Sequence, residues 1–470
     1  MGAAVETRLA LSGQHHRELV RHLFPGDGKE AVAFALCGRA RREGLEVLLV
    51  REIVPVPYEQ CPVRTPGRVT WRGEALDPIL ARALELGLGL VKVHSHPTGY
   101  PSFSSTDDEA DSTLFPSVSG WLGDDGGPMA SAIMLPDGRM VGRSIWAGKV
   151  GKELQAIRVA GDDFRYWFPA ASIEPVPEHG RRVAQTFGDA TYTQLRRLKI
   201  GVVGCSGTGS PVAEQLARNG VGELVLVDGD AIEWKNLNRI INSTKFDARA
   251  AANKTLVLER AIEAMGLGTR VHVHAYDLLD MRALRDLSTC DLVFGCMDSV
   301  DGRHVLNKLA SAYLIPYVDV GVRLDADGKG GIDSIWLAIH TVQPGGSSLK
   351  SRRVYDQRDL EAAFVRRDSP QEYERLRREG YIKGVRVDRP AVISINMAAA
   401  SAAINEFLAR LHGYRVKPNA GFAIRRICVT DPEADVDEGD GAPCSEMGKL
   451  VGTGDQEPFL GMMRLGGQAC

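Results

Sequence analysis

Apolar and polar positions in the first third of the chain change period several times. Ala31–Cys37 and Val47–Val54 are short apolar runs that read as strands, flanking Gly38 and Gly44. Between Glu74 and Leu86 the apolar residues Leu76, Ile79, Leu80, Ala83 and Leu84 recur at helical spacing. Leu90–Val93 reads as a strand leading directly into His94. Ser131–Leu135 and Met140–Ile145 bracket Asp137-Gly138, a hairpin signal. This order predicts an α+β domain over residues 1–149. A Pro-bearing stretch around Pro175 and Pro177 follows, and 150–179 reads as a connector.

Beyond it the rhythm becomes strand, glycine turn, helix, strand. Lys199–Val203 is a buried-type strand, Ser210–Asn219 a helix, and Glu223–Val227 the next strand, closed by Asp228. Asp291–Gly295 and Tyr317–Val320 read as further strands. Such alternation predicts an α/β domain over 180–412, with a Rossmann-like, mostly parallel sheet covered by helices. Residues 413–470 form a C-terminal extension, with the acidic, Gly- and Pro-bearing run Asp431–Pro443 as a solvated loop.

Composition narrows the class. The 470 residues are 44% hydrophobic and 25% charged, as in an ordinary soluble protein, and two or three domains fit that length. The formal net charge of −3 gives no electrostatic footprint for nucleic acid. No apolar run approaches the roughly 20 residues of a membrane helix, and the first residues lack a secretory core. Eight cysteines without a CxxC pair suggest reduced thiols and a cytoplasmic setting. Cys205, Cys290 and Cys296 lie in apolar stretches and read as core residues.

The first candidate chemistry is His94-Ser95-His96-Pro97, followed by Ser104 and Asp107. Two histidines at i and i+2 leave a strand end where Pro97 breaks the chain, so both imidazoles can converge on one point. Asp107 adds a carboxylate from the first turn of a helix beginning near Ser105. Two nitrogens and one carboxylate leave the fourth position of a zinc ion open for water, as in catalytic sites. Such a zinc lowers the pKa of its water to roughly 7, and a nearby carboxylate can carry the proton. The spacing His-x-His, seven residues, Ser, two residues, Asp resembles the JAMM (MPN+) metalloproteases. That resemblance implies His94, His96 and Asp107 as ligands, Ser104 as stabiliser of the oxyanion, and an upstream catalytic glutamate. Glu30, before the strand ending in Gly38, is the preferred candidate. Glu52, inside VLLVREIV, is the competitor.

The second is Gly204-Cys205-Ser206-Gly207-Thr208-Gly209, between a strand and a helix. Glycines there let phosphates approach backbone N–H groups at a helix N-terminus. Alone the motif also suits a dinucleotide-binding dehydrogenase, and Asp228 would meet a ribose in either case. The following Asn236, Arg239 and Lys254 would place amide and cationic groups around a triphosphate, which a dinucleotide does not need. Asp298 ends an apolar strand, a good location for a magnesium carboxylate. Arg303 and Asn307 follow at helical spacing.

VVGCSGTGSPVAEQLARNGVG, VDGDAIEWKNLNR and the Asp298 segment resemble the ThiF/MoeB and ubiquitin-activating superfamily. The resemblance implies ATP on Gly204, Gly207 and Gly209, ribose on Asp228, phosphates on Asn236, Arg239 and Lys254, and Mg2+ on Asp298. It implies attack of a protein's C-terminal carboxylate on the α-phosphate, and an arginine donated across a homodimer, Arg181 or Arg182. Ser206, Ile240 and Ser299 depart from its usual residues. No cysteine stands in Gln343–Leu360, where thioester-forming relatives carry one. Ser347, Ser348 and Ser351 occupy that stretch. They read as solvated hydroxyls of a Gly/Ser loop; the alternatives are an acyl acceptor with Ser348 foremost, an engineered Cys-to-Ser change, or adenylation without covalent transfer.

The two resemblances imply a fused zinc peptidase and activating enzyme, as in bacterial ubiquitin-like modification operons. The expected partners are a ubiquitin-like protein ending in glycine and a conjugating enzyme. Activation of a sulfur-carrier protein is the alternative, and a non-catalytic scaffold the third.

Overall fold

A computed structural model describes residues 5–123, 127–169, 175–327, 329–379 and 392–465. They fall into two compact units, one within Met1–Ser172, Ser311–Leu314 and Lys449–Gly466, the other within Ile173–Ala310 and Ile315–Gly448. The segment expected as one C-terminal extension is thus shared between them. Residues 170–174 of the expected connector lie outside the described residues.

The first unit runs β1 (Glu6–Ser12), α1 (Gly13–Leu23), β2 (Val32–Arg42), β3 (Leu45–Pro55), β4 (Val63–Thr65), β5 (Arg68–Thr70), α2 (Asp77–Leu86), β6 (Gly89–Ser95), α3 (Ser105–Leu122), β7 (Met129–Met134), β8 (Met140–Trp146), β9 (Lys149–Glu153), β10 (Ala156–Ala160) and β11 (Phe164–Trp167). Nine strands form one mixed sheet in the order β11-β10-β1-β3-β2-β6-β7-β8-β9. Three of them occupy 149–167, most of which was expected to be connector. The fully buried run Ala156–Ala160 is parallel to β1, and its five residues are too few to show a period. Val32, Phe34, Leu36 and Leu90 share a core with Ile79, Leu80 and Ala83 of α2 and Phe115 and Val118 of α3. By strand alternation, Lys92 and His94 point to the same face as Leu90.

Residues 452–460 lie on this sheet. Gly454 bridges Arg39 in parallel, Asp455 accepts from Arg41 N at 2.8 Å and pairs with Arg42, and Phe459 and Leu460 are buried. Gly38 permits the approach, because a Cβ there would fall 2.2 Å from Gly452 O.

The second unit continues with α4 (Arg181–Phe187), α5 (Asp189–Arg197), β12 (Lys199–Val203), α6 (Gly209–Arg218), β13 (Glu223–Val227), α7 (Lys245–Ala250), α8 (Lys254–Met265), β14 (Arg270–His274), α9 (Met281–Leu287), β15 (Leu292–Gly295), α10 (Val300–Tyr313), β16 (Tyr317–Ala326), β17 (Ile332–Val342), α11 (Gln357–Asp368), α12 (Pro370–Arg378), α13 (Ile393–His412), β18 (Ile424–Cys428), β19 (Val436–Glu438) and α14 (Ser445–Gly448). Its sheet order is β14-β13-β12-β15-β16-β17-β18-β19. The pairs from β14 to β16 are parallel, as strand–helix alternation requires, and those from β16 to β19 antiparallel. The chain is mixed α/β throughout. Among the described residues no helix is long and apolar enough to cross a membrane.

Candidate functional site

In the first unit two elements deliver the metal-type donors. His94 is the penultimate residue of β6, and His96 follows the strand's last residue. Asp107 lies in the first turn of α3, where Ser104 caps the helix. His94 Nε2 is 3.1 Å from His96 Nε2 and 2.9 Å from Asp107 Oδ1, and His96 Nε2 is 3.5 Å from Asp107 Oδ2. Two nitrogens and a carboxylate converge with their donor atoms within 4.8 Å of one another, a set that fits a zinc ion. Burial pushes the His94 imidazole down to about 4, so it is neutral near pH 7, as a ligand must be. His96 Nδ1 lies 2.8 Å from Tyr100 O, which orients its ring. Ser104 is less free than its expected role supposes. Its hydroxyl donates to Asp107 Oδ2 at 2.7 Å and accepts from Asp107 N at 3.3 Å.

Register decides between the two glutamates. β2 and β6 are antiparallel with Val32 opposite His94, and Ala31 and Ser95 continue the pairing through Ser95 N donating to Ala31 O. Glu30 therefore falls opposite His96. Its side chain is buried, and burial raises the carboxyl to about 7 against the opposing field of His96. Glu52 instead pairs with Arg82 at 2.8 Å, out on β3.

In the second unit the turn between β12 and α6 is built from glycines. Gly204 has φ +88°, and a Cβ on Gly209 would fall 1.8 Å from Gly204 O. A Cβ on Gly207 would meet Asn396 Nδ2 and the Arg239 side chain, so Arg239 lies over the turn. Asp228 Oδ2 accepts from Cys205 N at 2.7 Å, tying the end of β13 to the turn. Lys254 is buried, 2.7 Å from Asp230 Oδ2 and 3.6 Å from Asp228 Oδ1. Asn236 is buried, and its Oδ1 accepts from Glu233 N at 3.0 Å. Asp298 is exposed just after β15. Arg181 pairs with Glu178 and Arg182 with Gln185, both on the surface. Asn307 is not at the turn. It is fully buried, donates to Tyr355 Oη and accepts from Leu349 N.

The model of the ThiF family matches residues 179–426. This chain belongs to the ThiF family. A second model, of prokaryotic homologs of the JAB domain, matches residues 12–141, so the ThiF domain follows a JAB domain. Adenylyltransferase and sulfurtransferase MOCS3 of Drosophila willistoni is 31% identical over 147 residues, covering 31% of this chain and 32% of that protein. Ubiquitin-like modifier-activating enzyme 5 of Xenopus laevis is 28% identical, covering 29% and 36%. The chain thus spans about a third of the length of these relatives. Among solved structures, E. coli MccB with ATP is 19% identical, covering 57% of this chain and 74% of that one, with a TM-score of 0.44.

In this ThiF-family chain the Ser-rich segment corrects the reading as solvated hydroxyls. Ser347 and Ser348 are buried. Ser347 Oγ donates to Asp440 and accepts from Arg352 Nε at 2.7 Å, while Arg352 Nη2 donates to Asp440 Oδ1 at 2.9 Å. Ser348 and Ser351 close a reciprocal turn, with Ser348 N donating to Ser351 Oγ at 2.9 Å and Ser351 N donating to Ser348 Oγ at 3.2 Å. Asp356 accepts from Asp359 N as the cap of α11, and Lys350 pairs with Glu446. Sequence reasoning also missed Lys92, Asp111 and Arg143, which are buried beside the donor set. The signal was present: a lysine inside the apolar strand GLVKVHS needs a charged partner.

Proposed function

We propose that the chain is a bifunctional enzyme acting on a ubiquitin-like protein: a zinc-dependent peptidase in the first unit, and an ATP-dependent activator of its C-terminal glycine in the second. The observation that carries this reading is the convergence of His94, His96 and Asp107 with Glu30 opposite, on the same chain as a ThiF domain.

The residues of the first unit divide the work. His94, His96 and Asp107 would hold the zinc. A bound zinc would supply an acidified water and polarise the scissile carbonyl. Glu30, its proton affinity raised by burial, takes a proton and returns it to the leaving amine. Ser104 stands beside the ligands and turns to the oxyanion only by giving up its bond to Asp107.

In the second unit the glycine turn offers its backbone N–H groups to phosphates. Lys254 leaves Asp228 and Asp230 for the nucleotide, and Asp228 is freed towards the ribose. Arg239, over Gly207, would meet the phosphates, and Asp298 would hold Mg2+. A carboxylate oxygen of the carrier bonds the α-phosphorus as the bond to pyrophosphate breaks, giving an acyl-adenylate. Arg181 or Arg182 would complete the site across a homodimer. The buried Ser348 argues for passing the adenylate to a conjugating enzyme rather than holding an ester. Sulfur-carrier activation rests on one observation, the name of the MOCS3 relatives.

The test is ATP–pyrophosphate exchange by the full chain with Mg2+ and a glycine-ending ubiquitin-like protein, alongside zinc analysis and cleavage of a carrier fusion. Exchange and about one zinc per chain are expected. Tight NAD binding without exchange sinks the activating half, and a chain that holds no zinc sinks the peptidase half.

A further inference from the structure

Beneath the zinc-type donors lies a second set of charges that the proposed chemistry leaves unused. Lys92, Asp111 and Arg143 are 2%, 0% and 8% exposed. Asp111 accepts from Lys92 Nζ and from Arg143, whose Nε lies at 3.1 Å and Nη2 at 2.6 Å. Arg143 Nη1 also donates to Asp108 at 2.5 Å, so two cations meet two carboxylates.

Each member stands one step from a ligand. Lys92 precedes His94 by two residues on one face of β6, and Asp111 follows Asp107 by one turn on the buried face of α3. Arg143, reaching over from β8, donates from Nη2 to the carbonyl of Asp107 itself at 3.3 Å. Its guanidinium lies 3.9 Å from the centre of the Phe103 ring, which is 6.4 Å from the His94 ring. The Asp107 main chain is thereby held at both ends, its N–H by Ser104 Oγ and its carbonyl by Arg143.

Apolar side chains of similar volume often serve stability as well as buried ions or better, so stability alone does not account for this arrangement. Directional bonds do something apolar contacts do not: they fix the rotation and slide of α3 against β6. A metal constellation has to be held within about 0.5 Å. We propose that Lys92, Asp111 and Arg143 are positioning residues, a rigid frame that sets Asp107 against His94 and His96. The proposal rests on the zinc reading above.

Two variants of the full-length chain test it. Arg143→Lys keeps the buried charge but loses the planar fork that serves Asp107, Asp108 and Asp111 together. The triple variant Lys92→Met, Asp111→Leu, Arg143→Met removes all three charges at once and keeps the volume apolar. Zinc affinity is read by competition with a chromophoric chelator, ligand geometry by the visible spectrum of the cobalt-substituted chain, and folding by Tm. Both variants are expected to lose zinc affinity roughly 10–100-fold, with an altered cobalt spectrum. The triple variant should keep its Tm. Arg139→Lys, at the exposed hairpin turn, should change nothing. An Arg143→Lys chain that binds zinc like the parent, with an unchanged cobalt spectrum, overturns the proposal even if the triple variant fails to fold. A parent chain without zinc overturns this and the peptidase reading together. Loss of affinity in the variants, with no cleavage by the parent, supports the frame and sinks the peptidase reading alone.

Discussion

Glu30 and Ser348 are both buried polar side chains, but their surroundings differ in kind. Glu30 faces a cluster of donors without being tied into a turn, and its raised proton affinity suits a group that gives and takes a proton. Glu30→Gln keeps shape and removes that capacity. Cleavage of a carrier fusion should fall about 10²–10⁴-fold with zinc content unchanged. Zinc lost from this variant would make Glu30 a ligand instead. Ser348 is spent on a turn, with both its hydroxyl and its amide engaged by Ser351. Ser348→Ala should cost about 1 kcal/mol, as loss of a cap does, and leave pyrophosphate exchange unchanged. An adduct with the carrier that survives thiol, is cleaved by hydroxide and maps to Ser348 would contradict this.

At the scale of elements, the β12–α6 turn separates two uses of glycine. Gly209 has no room for a Cβ against the carbonyl of Gly204, whereas Gly207 faces side chains that can move. Gly209→Ala should lower Tm markedly and abolish exchange. Gly207→Ala should fold near normally but weaken ATP, seen as a raised KM. Equal effects on Tm would show that the turn is not packed as described. This turn was legible in the sequence because a glycine-rich segment between an apolar strand and a helical pattern admits few conformations. The donor set was legible for a similar reason, since His94, His96 and Asp107 sit where a strand stops and a helix starts. β9, β10 and β11 were not legible. β10 is a five-residue run buried on both faces, placed by its pairing with the distant β1, and β9, hairpinned onto β8, is exposed throughout and so carries no apolar alternation. The Arg143 contact to Asp107 was hidden likewise, because hairpin and helix meet only in the fold. Ser347 misled because its partner, Asp440, lies in a run whose acidity suggested a solvated loop.

Over the whole molecule, buried histidines make stability depend on pH. His340 on β17 has its imidazole pushed down to about 3 by burial and then by Arg352, Arg303 and Arg426. Unfolded, it titrates near 6.5, so below that pH the unfolded chain binds a proton that the fold refuses. Stability should therefore fall on acidification from pH 6.5 towards 3, with His340 adding up to about 1.4 kcal/mol per pH unit. His340→Leu should flatten that slope in denaturant titrations; an unchanged slope would rule His340 out. The last described residues matter as much to the first unit. A chain ended after Gly448 loses Gly454 and Asp455 from β2, and hydrogen exchange at Gly38–Arg42 should accelerate. Unaltered protection there would show the strap to be dispensable. Synthesis runs in one direction, and this gives the strap a second meaning. Roughly 280 residues separate Ser172 from Lys449, and at about 5–20 residues per second a ribosome needs about 14–56 s to cross them. Through that interval the sheet that carries His94 waits for its last segment. The part of the protein made first is the last to be finished, so a growing chain completes its JAB unit only once the ThiF domain behind it has been made.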